Sequence, residues 1–429
     1  TRFIAKDAPV MTPTESNAAG RKPQSVRLAY LVSHPIQYQA PLLRRIAQEP
    51  GIDLTVLFGS DFSLSAYKDE GFGVEVDWDI PLLDGYRSEF LKPLIDHRTV
   101  SFVSPLSRNL YHRLTLPDGS PAFDALWIHG YASLQSIQAM LFAKALGIPV
   151  LLRADSSLYD RPRSSRTLFA KKFILGLLRH FVAATLPAGT ANANYWAHYL
   201  GADFPQFFMP YAVDNAAFAA GALAATPHEP ALRAELGLAP TTPVILFASK
   251  LQTRKLCADL VHAYQLLLTD PTLRLDNPPA LLIVGDGEER NNLEALVRDQ
   301  RIPNVIFAGF RNQTELPRFF QLSSVFVLPS RHEPWGLIVN EVMAAALPAI
   351  VSSDVGAAPD LVLPDVTGYI YPVGDVPALA QALHKTLSTP SKAATLGHAA
   401  QQHMARWSIE SNITGLRHAL AHITRNLRP

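Results

Sequence analysis

The sequence predicts an α/β protein made of two Rossmann-like, doubly wound domains that face each other across a cleft. Its 429 residues exceed what one ordinary core accommodates and suit two domains. Short apolar, β-branched runs alternate with helical patterns, the order that produces parallel sheets. The composition, 48% hydrophobic and 17% charged, is that of a globular chain.

In the first half, VRLAYLVS (Val26 to Ser33) reads as the opening strand, followed by a helix near Gln39 to Gln48. IDLTVLF, ALWIH and IPVLLR read as further buried strands. From about Gly59 to Leu116 the chain is rich in Asp, Gly and Pro and lacks clear periodicity, a pattern expected of functional or lid-like segments. In the second half PVILFAS, ALLIVGD, NVIFAGF, SVFVLPS and PAIVSSD are five apolar runs, each followed by a helical pattern, as in a doubly wound sheet. The expected boundaries are a disordered tail at 1–24, a first domain at 25–214, an Ala- and Pro-rich linker at 215–242 and a second domain at 243–406. A helix at 407–429 is expected to return to the first domain.

Charge argues against a nucleic-acid partner: the net charge is +1. Cys257 is the single cysteine, so an internal disulfide is excluded and a reducing, cytoplasmic setting is expected. No apolar run reaches the roughly 18 residues that span a bilayer, and the first 24 residues do not resemble a secretory signal.

Ligands of open α/β sheets bind beyond the carboxyl ends of the strands, so the chemistry is sought in the loops that follow them. Ser324 to Val362 is the richest segment. A strand ends in a polar turn carrying Glu333, then Trp335-Gly336, then a helix containing Glu341. Free amides at Gly336 and Leu337 open that helix and favour phosphate. Glutamates on either side of a phosphate site suit a sugar at one end and a ribose at the other.

This segment resembles the signature of the family-four retaining glycosyltransferases, which have the GT-B fold. Their pattern is a strand ending in Pro-Ser, a Glu, an aromatic, Gly, a second Glu eight positions after the first, a small-residue helix, Pro with two apolar residues and a Gly-rich turn. Each stands here in order. The resemblance covers the second domain almost entirely and the first mainly in layout.

It implies that Lys250 and Lys255 match the family's Arg and Lys that grip the donor diphosphate. Here Ala248-Ser249-Lys250 replaces a Gly-containing turn with Arg, and Leu256 replaces a Gly. The implied donor contacts are Gly285, Phe310, Arg311, Trp335, Gly336, Leu337 and Glu341. The implied catalytic set is His129, Lys250, Lys255 and Glu333, with His129 hydrogen-bonding the sugar or diphosphate. Arg153 and Asp155 either pair with each other or meet substrate. Ser33-His34-Pro35 stands where the family often has Gly-Gly, so no phosphate contact is expected there. His34, Gln37 and Tyr38 are expected to face the cleft.

The activity so implied is hexosyl transfer from a nucleoside-diphosphate sugar, UDP favoured over GDP, to a hydroxyl acceptor in polysaccharide, glycolipid or other glycan assembly. Anomeric configuration is retained, and neither a cofactor nor a metal is required. A nucleotide-sugar epimerase and a non-catalytic nucleotide-sugar binding protein are the alternatives. Asp77-Trp78-Asp79 matches the manganese-binding pair of another glycosyltransferase fold, but it lies in the irregular stretch, so no metal site is expected. Arg161 to Phe181 mixes cations with apolar residues. It reads either as a basic surface resting on the inner face of a membrane or, the preferred reading, as a helix with its apolar face in the core.

Overall fold

The computed structural model describes residues 25–69, 73–158 and 165–425. The expected tail lies outside the described residues.

Two six-stranded parallel sheets form the two doubly wound domains that the sequence predicts. The first runs in the order Ala184–Thr185, Val150–Arg153, Ala125–His129, Val26–Val32, Ile52–Phe58, Arg87–Phe90. Its central runs are apolar at nearly every position because both faces are covered, as Leu28, Ala29 and Tyr30 illustrate with no exposed surface. The second sheet is ordered Val305–Gly309, Ala280–Val284, Val244–Ala248, Val325–Leu328, Ala349–Ser352, Gly368–Tyr371. All five expected runs are strands. The sixth, Gly368–Tyr371, was not expected and pairs with Ala349–Ser352.

Strand order reverses beside Val26–Val32 in the first sheet and beside Val244–Ala248 in the second. At such a switch point neighbouring loops diverge and leave a crevice. The loops after Val26–Val32 and Ala125–His129 therefore face those after Val244–Ala248 and Val325–Leu328.

The irregular stretch supplies the edge strand Arg87–Phe90 and two small antiparallel pairs, Tyr67–Lys68 with Glu75–Val76 and Pro93–Ile95 with Leu106–Ser107. The first pair leans on the opposite domain. Thr314 N and Oγ1 both bond Asp79, and Asn312 Nδ2 donates to the Asp77 carbonyl.

The helix Ser165–Leu177 corrects the preference for a core-facing apolar side. Leu175 is buried, but Phe169, Phe173 and Ile174 are 77%, 66% and 60% exposed. Arg161 and Arg163, part of the same expected surface, lie outside the described residues.

The helix Ile409–Arg425 packs on the first sheet, with Ile413, Leu416, Leu420 and Ile423 among the side chains of Tyr30, Leu54 and Trp127. Arg45 of the first domain pairs with Glu410 at 2.9 Å. Because Leu416 is wholly buried, Leu416→Ala should lower the unfolding free energy by roughly 2–5 kcal/mol. Chemical denaturation reads this; a loss under about 1 kcal/mol would contradict the packing.

Candidate active site

The strand Val244–Ala248 is fully apolar and delivers Ser249 and Lys250 to its carboxyl end. Gly285, at the end of the neighbouring strand, sits at φ +130°, and a Cβ there would lie 2.0 Å from the Ser249 carbonyl oxygen. Only glycine lets these two loops close on each other. The chain then makes a short turn at Thr253–Lys255 and enters the helix Cys257–Thr269 through Leu256, which adopts φ +50°. The glycine of the resembling family is thus replaced at a position that keeps the left-handed backbone, a conformation costly for a branched side chain.

That turn aims two cations at one carboxylate. Lys255 Nζ donates to Glu333 Oε2, and Arg254 Nη1 reaches the same oxygen at 3.2 Å. The Lys255 side chain is 8% exposed, and burial lowers its pKa while Glu333 opposes that fall. The Glu333 loop is pinned by its own backbone: Glu333 N donates to Asp354 O at 3.1 Å, and Gly356 N to Glu333 O at 2.9 Å. Arg331 N donates to Arg254 O at 2.7 Å, tying the two loops together.

Gly336 caps the helix Leu337–Ala344 at φ +92°. Val339 N donates to Gly336 O at 2.9 Å, and Gly336, Leu337 and Ile338 bring the helix mouth to the same cleft as the cations. One turn in, burial pushes the Glu341 carboxyl up to about 8, with no cation among the causes.

These groups share a cleft of about 420 Å³ between the domains. Lys250, Lys255 and Glu333 enter from the strand-end loops; Gly285, Phe310 and Arg311 form one side; Gly336, Leu337 and Glu341 supply the helix mouth. Gln37 and Tyr38 line the same cleft from the first domain, as their position suggests. His34 instead packs against Phe62, with ring centroids 4.5 Å apart.

Trp335 does not line the cleft. It is 5% exposed and packs on Tyr211 and Trp407, while its indole N–H donates to Asn340 Oδ1 at 2.9 Å. Its work is to join the helix to the segment crossing between domains, because Asn340 Nδ2 in turn donates to Tyr211 O.

His129 does not line that cleft; it lines a cavity of about 450 Å³ in the first domain, with Asp155 and Ser33, that has no lining residue in common with the cleft. Burial lowers its pKa to about 4, so the imidazole is neutral near pH 7. Gln39 Nε2 lies 3.2 Å from His129 Nδ1, and Gln39 Oε1 accepts from the Tyr30 hydroxyl at 2.6 Å. Arg153 does not pair with Asp155: its Nη2 donates to Pro210 O at 3.1 Å and its guanidinium lies over the Tyr211 ring.

Sequence reasoning missed Arg254, Asp69 and Trp78. Asp69 comes from the opposite domain and accepts from Lys250 Nζ at 2.7 Å. Arg254 could have been found, since it precedes a cation already singled out. Nothing local marks Asp69 or Trp78.

Glu341 gives a pH signature. Its folded pKa lies above the ordinary 4.5, so its neutral form is favoured by the fold. Its stabilising effect is present below about 4.5 and is lost as pH rises through about 8. Glu341→Gln should therefore melt increasingly higher than wild type, without ligand, as pH is raised from 5 toward 8. A constant difference in melting temperature across that range would contradict the burial of this carboxyl.

Residues 228–403 match the family model described as Glycosyl transferases group 1. A GDP-mannose-dependent monoacylated alpha-(1-6)-phosphatidylinositol monomannoside mannosyltransferase of Corynebacterium glutamicum is 33% identical over 196 residues, covering 43% of this chain and 49% of the relative. The N-acetyl-alpha-D-glucosaminyl L-malate synthase of Bacillus anthracis is 27% identical over 172 residues, 40% of this chain and 43% of that one. The matched stretch thus spans about half the length of these curated relatives. Among solved structures, Anabaena HepE in complex with UDP superposes with a TM-score of 0.67 at 16% identity, covering 92% of this chain and 100% of that one. Sucrose-phosphate synthase from Thermosynechococcus elongatus gives 0.64 at 21% identity, covering 94% and 99%. The described chain therefore has the GT-B fold, and residues 228–403 are similar in sequence to the group 1 glycosyl transferases.

Proposed function

We propose that the protein is a retaining hexosyltransferase that moves a sugar from a nucleoside-diphosphate donor to a hydroxyl acceptor in glycan or glycolipid assembly. The carrying observation is the convergence of Lys250, Arg254, Lys255 and the Gly336–Leu337 amides on one cleft that also holds Glu333 and Glu341. Cations and helix amides together stabilise the charge that builds on a departing diphosphate, the role a metal fills elsewhere. Metal independence rests on that arrangement. Glu341 receives the ribose hydroxyls and Glu333 the sugar hydroxyls.

The reaction breaks the bond from the anomeric carbon to the diphosphate oxygen and forms one to the acceptor oxygen on the same face. The acceptor's proton passes to the leaving phosphate oxygen. Neutral His129, near the carboxyl end of its strand, hydrogen-bonds the sugar rather than taking that proton. Closure of the two domains excludes water and so limits donor hydrolysis. UDP is the favoured donor nucleotide, in line with the UDP held by the HepE structure; the GDP-mannose dependence named for the Corynebacterium relative makes GDP the other choice.

Thermal shift against UDP- and GDP-sugars identifies the donor, since a binding donor raises the melting temperature. With that donor, Lys255→Ala should lower turnover by about 10²- to 10³-fold. Glu341→Ala should mainly weaken donor binding. EDTA should leave the rate unchanged. Wild-type kinetics in both variants would sink the assignment, and donor conversion without an acceptor would point to an epimerase.

Peripheral contact with the inner face of a membrane is proposed for the helix Ser165–Leu177. Its exposed Phe169, Phe173 and Ile174 support this, alongside exposed Lys172. Among the described residues no helix is long and apolar enough to cross a membrane. Phe169→Ser/Phe173→Ser should abolish co-flotation with anionic vesicles at low salt. Absence of flotation by the wild type would end this reading.

A further inference from the structure

Asp77-Trp78-Asp79 has a use other than metal binding. Its two ends are fastened to the opposite domain. Asn312 Nδ2 donates to the Asp77 carbonyl, and Thr314 N donates to Asp79 Oδ2 at 3.2 Å, with the Thr314 hydroxyl on the same carboxylate. The tripeptide is thereby clamped across the loop that carries Phe310, Arg311 and Gln313. Trp78, between the clamps, is half-buried and lines the cleft beside those three residues. It also shares a side-chain hydrogen bond with Tyr67, another cleft-lining residue of the same domain.

Two residues that line the same cleft carry polar atoms without use in the fold. Gln313 Oε1 and Arg311 Nε are both buried and make no hydrogen bond. Leaving such atoms unmade costs about 1–3 kcal/mol each, so their natural complement is a ligand edge offering a donor and an acceptor. An aromatic face next to that pair suits a planar heterocycle, and the cations at Lys250 and Lys255 in the same cleft suit the phosphates attached to it.

We propose that Trp78, carried by the first domain, is the aromatic wall against which the donor's nucleobase rests, with Gln313 and Arg311 reading the base edge. This rests on the nucleotide-sugar reading above and deepens it. The base site is complete only when the two domains meet, so nucleoside recognition reports domain closure. Pyrophosphate recognition belongs to the second domain and does not depend on Trp78.

Calorimetric titration of the full chain with UDP, GDP and inorganic pyrophosphate separates these parts. Trp78→Ala should weaken the nucleotide that binds wild type by about 5- to 100-fold, the range for removing a stacked base, and leave pyrophosphate affinity within about twofold. Trp78→Phe should keep most of the nucleotide affinity. Gln313→Ala should weaken nucleotide and not pyrophosphate, which keeps the test decisive if Trp78→Ala fails to fold. Lys255→Ala should weaken both ligands. Unchanged nucleotide affinity in Trp78→Ala and Gln313→Ala, with Lys255→Ala impaired, overturns the base wall and spares the glycosyltransferase reading. Failure of wild type to bind either nucleotide overturns both.

Discussion

The contact between Lys255 and Glu333 sets the arrangement of the cleft. A lysine so deeply placed forfeits much of its hydration, and burial pulls its pKa down. Glu333 opposes that fall, and Arg254 shares the same oxygen. Two cations on one carboxylate leave positive charge to spare. Under the proposed function, a diphosphate entering between them would meet charge already desolvated and already oriented, which is where electrostatic stabilisation is strongest. Removing either member of such a pair strands the other, so Lys255 and Glu333 depend on each other.

Lys250 extends the same logic across the cleft. Its partner Asp69 is 181 residues away and belongs to the other domain. The pair is partly exposed, so its Coulombic worth is screened and modest. Its geometry matters more: a carboxylate stands on the cation expected to meet the donor phosphate, and it arrives on the same strand pair that presents Trp78. One segment of the first domain therefore touches both the phosphate end and the aromatic end of the cleft.

Backbone shape permits this crowding. Gly285 can approach the Ser249 carbonyl because it lacks a side chain, and Gly336, at φ +92°, turns the chain into the helix that lines the cleft. Glu341 lines the same cleft one turn into that helix, where burial pushes its carboxyl up to about 8. On the other side His129, neutral through burial and steered by Gln39 and Tyr30, offers hydrogen bonds without charge.

The sequence alone determined most of the strands and several of the residues that line the cleft. Long buried strands must be apolar throughout, so VILFA, ALLIV and VFVL are legible; Ala184–Thr185 and Arg87–Phe90 are too short or too polar to announce themselves. The Glu333–Glu341 spacing, the glycine at the helix mouth and the paired lysines lie within single strand–loop–helix units, where local geometry places side chains. Tertiary structure decided the rest. Trp335, read as a ligand contact from its neighbours in the chain, is drawn into the domain junction because the Tyr211 segment packs there. Asp69, Trp78 and Asp79 acquire their roles only from contacts made 181 to 235 residues away. The segment that holds them has no periodicity of its own, and no local pattern can encode what an opposing domain will bring.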